Sequence, residues 1–245
     1  MIEVCVDSYE MAISAQHAGA NRIELCVSLL EGGTTPPLSL VQKVCGKLQI
    51  PVHVMIRPRG GDFLYSEEEF DMMKMDIQHF EKAGAHGFVF GVLNSDGSVD
   101  KDRCSLLKNY MKGKSSTFHR AFDMTSDPFL SLEEIIALGM DTILTSGHRQ
   151  TAEDGFELLK ELVKRSANRI KIMAGSGVNA QNVRLLHEAG IRNFHFTARK
   201  RIDGKMKYRN EALQSMGAQV LYSEYDSFIF DDAKVLDVLA ALKSV

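Results

Sequence analysis

His17-Ala18-Gly19-Ala20-Asn21-Arg22-Ile23, Lys82-Ala83-Gly84-Ala85-His86-Gly87-Phe88, Ala137-Leu138-Gly139-Met140-Asp141-Thr142-Ile143 and Glu188-Ala189-Gly190-Ile191-Arg192-Asn193-Phe194 are four copies of one short pattern. In each, a helix-like stretch runs into a glycine, three mostly polar residues follow, and a β-rich run begins. Glycine at that point is the left-handed residue that ends a helix, where a Cβ would cost energy. Gly46, Gly113 and Asn168 stand in similar places. Helix stops that each lead into a strand predict alternating β and α units along the chain.

Eight strands are predicted: Ile2–Val6, Arg22–Cys26, Val52–Ile56, Gly87–Val92, Ser116–Arg120, Thr142–Thr145, Ile170–Met173 and Asn193–Thr197. Between them, Phe70, Met73, Ile77 and Phe80, and then Phe156, Leu159, Leu162 and Val163, recur at three- and four-residue steps and give helices one apolar stripe each. Parallel strands joined by helices must be covered on both faces. Eight such units in 245 residues predict an α/β protein, a single closed (β/α)8 barrel of the TIM type spanning the chain, with its strands inside residues 2–197. An open doubly wound sheet is the weaker alternative, because no Gly-x-Gly-x-x-Gly opens the first unit. Residues 200–225 read as an irregular extension, with Lys200-Arg201-Ile202-Asp203-Gly204-Lys205 as a mobile loop. Residues 231–242 read as a closing helix capped by Asp231 or Asp232.

Side chains alternate faces along a strand, and the outer face of a barrel packs under helices. The polar set therefore points inward. It collects Glu3, Cys5, Glu24, Cys26, His53, Arg57, His119 and His195. Buried carboxylates and imidazoles are expensive unless paired. Two readings stay open, an internal salt-bridge lattice and a working site, and one barrel can hold both.

Active chemistry in this architecture sits where strands end. One such end is Met55-Ile56-Arg57-Pro58-Arg59-Gly60-Gly61-Asp62-Phe63. Pro58 stops the strand and the glycines free the turn, which leaves Arg57 and Arg59 placed for a carboxylate or phosphate, or for closing the sheet against a neighbouring carboxylate. Gly175-Ser176-Gly177 offers main-chain N–H groups for an anion. Among titratable groups, Glu24, His119 and Asp123 are candidates for acid or base work on a small phosphorylated or carboxylated substrate. Cys5 and Cys26 fall on adjacent strands at inward places; two thiolates suit a soft ion such as Cu(I), with Met55 as a possible thioether partner. Two small core residues are the plainer reading of the same pair. No Cys-x-x-Cys or His-Glu-x-x-His spacing supports zinc, and no Walker loop or Gly-x-Ser-x-Gly elbow is present.

A net charge of -3 and the lack of a Lys/Arg block speak against nucleic acid as partner. No apolar run approaches membrane length, and four scattered cysteines suit reduced thiols, so a cytoplasmic protein without a secretory signal is expected.

The strings Glu3-Val4-Cys5-Val6-Asp7-Ser8, Arg22-Ile23-Glu24-Leu25-Cys26, Glu31-Gly32-Gly33-Thr34-Thr35-Pro36, Arg57-Pro58-Arg59-Gly60-Gly61-Asp62-Phe63, Phe118-His119-Arg120-Ala121-Phe122-Asp123 and Leu144-Thr145-Ser146-Gly147 together resemble the CutC copper-homeostasis family. The match extends through about Arg199. It implies a TIM-type barrel, a cytosolic protein that handles Cu(I) through Cys5 and Cys26, and association into dimers or larger homo-oligomers. Two departures fall at the strand 7 and strand 8 ends. Ala174-Gly175-Ser176-Gly177 stands for the family's usual Pro-Gly-Gly-Gly, and His195-Phe196-Thr197-Ala198 for its His-Gly-Ser-Ala or His-Cys-Ser-Ala.

Overall fold

The structure is a computed structural model and describes residues 1–212, 216 and 222–243. Strands β1 (Ile2–Val6), β2 (Arg22–Leu25), β3 (Val52–Met55), β4 (Gly87–Phe90), β5 (Ser115–Phe118), β6 (Thr142–Thr145), β7 (Lys171–Ala174) and β8 (Asn193–Thr197) close in sequence order into a barrel. Every neighbouring pair is parallel, including β1 with β8. The (β/α)8 barrel expected from the sequence is therefore the observed fold.

The helices are α1 (Tyr9–His17), α2 (Leu38–Cys45), α3 (Glu67–Lys82), α4 (Lys101–Tyr110), α5 (Pro128–Ala137), α6 (Phe156–Ser166), α7 (Val183–Glu188) and α8 (Asp232–Leu242). Four of them, α1, α3, α4 and α5, begin on a side-chain cap. Ser66 and Glu69 form a reciprocal capping box at α3, and Asp127 caps α5 ahead of Pro128. Gly19, Gly84, Gly139 and Gly190 all take positive φ, +95°, +93°, +68° and +90°, as helix stops should. Gly46 does not. It ends α2 in the right-handed region, at φ −72°, and its amide donates to Gln42 O.

Strand alternation sorts the interior as the sequence implied. Val4, Val6, Ile23, Leu25, Val52 and Val54 join the large apolar core beneath the helices. Cys5, Cys26, Met55 and Val89 form a separate small cluster. Four strands stop short of their expected ends, β2 and β3 by one residue each, at Leu25 and Met55. β4 ends at Phe90, before Gly91, and β5 ends at Phe118, after which His119 caps a short turn of 3-10 helix over Arg120–Met124.

The extension differs from expectation. Arg199–Asp203 is a strand, β9, paired antiparallel with β10 (Asp226–Phe230), so the proposed loop at 200–205 is largely ordered hairpin. Alternation of Ile202 with charged neighbours hid it, since a two-stranded ribbon outside the barrel buries little. The remainder of the irregular stretch at 213–215 and 217–221 lies outside the described residues. α8 forms as expected, although Asp231 at its N-terminal boundary makes no side-chain cap.

Gly87 of β4 and Gly91 just past its end stand where imidazoles approach. A Cβ on Gly87 would stand 2.5 Å from His53 Nε2, and one on Gly91 would stand 2.8 Å from His119 Nδ1. The His53 ring also lies 3.5 Å from Arg22 Nη1 and has little room to swing away. Gly87→Ala is expected to destabilise the fold by about 1–3 kcal/mol, as overpacking does. Urea unfolding measures it, and an unchanged midpoint would contradict the close approach.

Candidate functional site

Inside the barrel the polar residues form two levels. At the lower level Glu3 is fully buried between two basic partners, Arg22 Nε at 2.5 Å and His195 Nδ1 at 2.8 Å. Arg22 also reaches His53 Nε2 and Met173 Sδ. Burial alone would raise the Glu3 carboxyl; Arg22 and His195 overcome it and hold it at about 2. His195 is raised in turn. Burial disfavours its charge, but Glu24 and Glu3 outweigh that. Among the described residues His53 has no carboxylate in contact, and burial beside the Arg22 charge lowers it to about 4. The internal salt-bridge lattice is thus present and joins β1, β2 and β8, with His53 of β3 lying against Arg22.

One step nearer the mouth lie the thiols. Cys5 Sγ and Cys26 Sγ are 3.4 Å apart, and the Cys5 thiol donates to Glu24 Oε1, also at 3.4 Å. Ligand atoms of Cys5, Glu24 and Cys26 all fall within 4.8 Å of one another, a spacing one ion can bridge. Alternation places them: β1 pairs β2 so that Cys5 stands beside Glu24, with Cys26 one further inward position along. The approach of the Gly33 backbone presses on Cys26, for a Cβ there would meet Sγ at 3.3 Å and the Met55 methyl at 3.6 Å. The hydrogen bond to Cys26, burial and the Glu24 charge push the Cys5 thiol well above its ordinary range. Burial likewise raises Glu24, against the pull of His195. Glu24 Oε2 has no partner although it is buried.

Above the thiols opens a cleft of about 760 Å³, lined by Cys5, Glu24, Met55, Arg57, His119 and His195 among others. Asp123, Ser176 and Gly177 also face it. Cys26 lies behind, fully buried. Arg59 and Gly175 are not in the lining. Arg59 turns toward the start of α3, where its Nε donates to Glu69 Oε1 at 2.6 Å and its other nitrogens bind Asp62 and the Leu64 carbonyl. Gly175 packs instead on Leu144, whose Cδ1 would be 2.5 Å from a Cβ.

Asp123 is occupied as well. It accepts from Arg120 Nε, Thr145 Oγ1, Ser146 N and Oγ, and His148 N, and so binds the β5 turn to the loop after β6. His119 Nδ1 accepts from the Ala121 amide at 3.2 Å. Burial and the Arg57 charge lower it to about 3, so the ring is neutral. Sequence reasoning did not find Lys234, Asp237 and Val238 of α8 at this mouth, nor Leu29 in its wall. α8 packs on α1 and α7, and nothing in its own apolar stripe signals where on the barrel it settles.

The model of the CutC family matches residues 1–200 of this chain. A mouse protein named copper homeostasis protein cutC homolog is 46% identical over 246 residues, covering 100% of this chain and 90% of its own length. A Bacteroides fragilis protein named as CutC is 46% identical over 248 residues, covering 100% of this chain and 98% of its own. Among solved structures, a Streptococcus agalactiae chain described as a copper homeostasis protein CutC superposes with a TM-score of 0.76 at 32% identity. That match covers 80% of this chain and 97% of the other. The chain belongs to the CutC family. Among the described residues no helix is long and apolar enough to cross a membrane.

Two strongly lowered histidines set a pH dependence. His53 and His119 titrate near 6.5 when unfolded and at about 4 and about 3 when folded, so the unfolded chain binds more protons in between. Stability is then expected to fall as pH drops below about 6.5, by about 1.4 kcal/mol per pH unit for each histidine. His195 contributes with the opposite sign, its share being lost as pH rises. Thermal unfolding at pH 7 to 4 tests this against His53→Gln, whose curve should be shallower; parallel curves would count against a buried neutral His53.

Proposed function

We propose that this protein acts in copper homeostasis by binding Cu(I) through Cys5 and Cys26 within the barrel, as a cytoplasmic protein. The observation that carries the reading is the 3.4 Å separation of two free thiols, beside Glu24 and the Met55 side chain, in a chain of this family. Thiolate and thioether sulfur select a soft monovalent ion over hard cations, which prefer oxygen. The relatives' names supply the metal; the donor set supports it, because two sulfurs with one carboxylate suit Cu(I) better than an all-oxygen ion.

Access runs from the mouth. Cys5 faces the cleft and would meet an incoming ion, and Cys26 lies deeper. Both thiols must lose protons to bind, and Cys5 holds its proton tightly in the absence of metal. The bound ion is then the cargo, and the lattice of Glu3, Arg22 and His195 fixes the strands that carry its ligands. Glu24, with one oxygen on Cys5 and the other unpartnered, is placed to accept from a thiol or to join the ion as a third ligand. A homo-oligomeric state, which the family resemblance implies, accompanies this reading.

Anaerobic Cu(I) titration with a chromophoric competitor tests the proposal. The parent protein is expected to bind, and Cys5→Ser and Cys26→Ser each to weaken affinity by roughly tenfold or more, in line with loss of one soft ligand. Undiminished affinity in both variants would remove the site.

A further inference from the structure

Most polar groups at the mouth are engaged by the protein itself, as Arg59 and Asp123 are. Among the described residues three buried side-chain atoms of the lining lack a partner: Glu24 Oε2, Arg57 Nε and Nε2 of His119. The His119 Nδ1 accepts from Ala121, which fixes the ring proton on Nε2, and that donor has no partner although the residue is only 3% exposed. A buried donor without an acceptor costs about 1–3 kcal/mol, so such a group calls for an occupant.

Arg57 stands close by. Its guanidinium lies 5.0 Å from the centroid of the Phe63 ring, and the His119 ring centroid lies 4.9 Å from the same ring. The Arg57 terminal nitrogens donate to the main-chain carbonyls of Glu31, Gly33 and Gly61. Carbonyls orient a guanidinium but do not neutralise it, and no carboxylate pairs with Arg57 among the described residues. A buried, uncompensated cation favours an anion nearby. On the β7 side of the same cleft, Ser176 is held at φ +72°, a conformation residues with a Cβ seldom take. The amides of Ser176, Gly177 and Val178 find no acceptor among the described residues.

We infer that the mouth binds a small organic anion, an oxo- or hydroxy-acid or a phosphorylated counterpart. His119 donates to one of its acceptor oxygens from Nε2, and Arg57 supplies the balancing charge. Leu29, Phe63 and Leu144 give apolar wall for the carbon skeleton, and about 760 Å³ suits a metabolite-sized ligand. His119 then serves as a neutral donor and not as a general base, since its other nitrogen is already an acceptor for Ala121. This inference does not depend on copper, although Cys5 borders the same cleft.

The test uses the full chain carrying Cys5→Ser and Cys26→Ser, free of metal, so that a failure of copper binding leaves it intact. Calorimetry is run with pyruvate, dihydroxyacetone phosphate and inorganic phosphate as probes. Saturable binding of pyruvate, of dihydroxyacetone phosphate or of both supports the site and separates a carboxylate from a phosphate ester. In that background His119→Asn keeps an acceptor for Ala121 and lacks the Nε2 donor; binding should weaken by about tenfold or more. His119→Gln restores a donor near the Nε2 position and should recover most of it. Without any change at His119, the ring Nε2–H resonance should shift on adding the bound probe. No saturable heat from any probe at millimolar concentration overturns the inference. So does binding of inorganic phosphate alone, an unshifted resonance, or a folded His119→Asn variant that binds as tightly as its parent.

Discussion

Glu3 governs this barrel. A carboxylate with no solvent exposure is tolerated only if its charge is met on both oxygens, and here Arg22 meets one and His195 the other. The three residues belong to β1, β2 and β8, the strands across which the barrel closes. Sliding any of these strands by one residue would turn its charged side chain out under apolar helices and leave the others unpaired. The ion pairs therefore define register more than they add net stability.

Register at Glu3 fixes the position of everything two residues further on. The same strands carry Cys5, Glu24 and Thr197 to the next inward level, where the thiols and a carboxylate meet. Electrostatics differ sharply between levels. Glu3, flanked by Arg22 and His195, is held at about 2, whereas Glu24, with burial and a neighbouring carboxylate against it, is raised. Two carboxyl groups driven apart in this way mark the boundary between scaffold and site. Gly87 in β4 and Gly91 just beyond it complete the arrangement by leaving room for His53 of β3 and for His119 past the end of β5.

Much of this was legible in the residues. The four Gly-centred repeats announced alternating β and α units, because only a left-handed stop explains glycine at each helix end. Two-residue alternation placed Cys5 and Cys26 together without any knowledge of their distance. What escaped was the engagement of side chains at loop ends. Arg57 and Arg59 look equivalent in sequence, yet Arg57 lines the cleft and Arg59 closes on Glu69 at the head of α3. Asp123 looks free and is saturated by β6-loop donors from residues 145–148. Asp203 and its neighbours read as loop because a ribbon outside the barrel needs no apolar face.

By itself, then, the sequence determined the period: which residues form strands, where helices stop, and which side chains turn toward the axis. These are local consequences of backbone sterics and of one-sided burial, and each is settled within about ten residues. Only the tertiary structure decided which polar groups found partners, that Cys26 lies beneath Gly33, and that α8 brings Lys234 and Asp237 to the mouth. Those outcomes depend on loop paths and on ring closure between residues far apart in sequence, 192 in the case of Glu3 and His195. No local propensity encodes a contact of that kind.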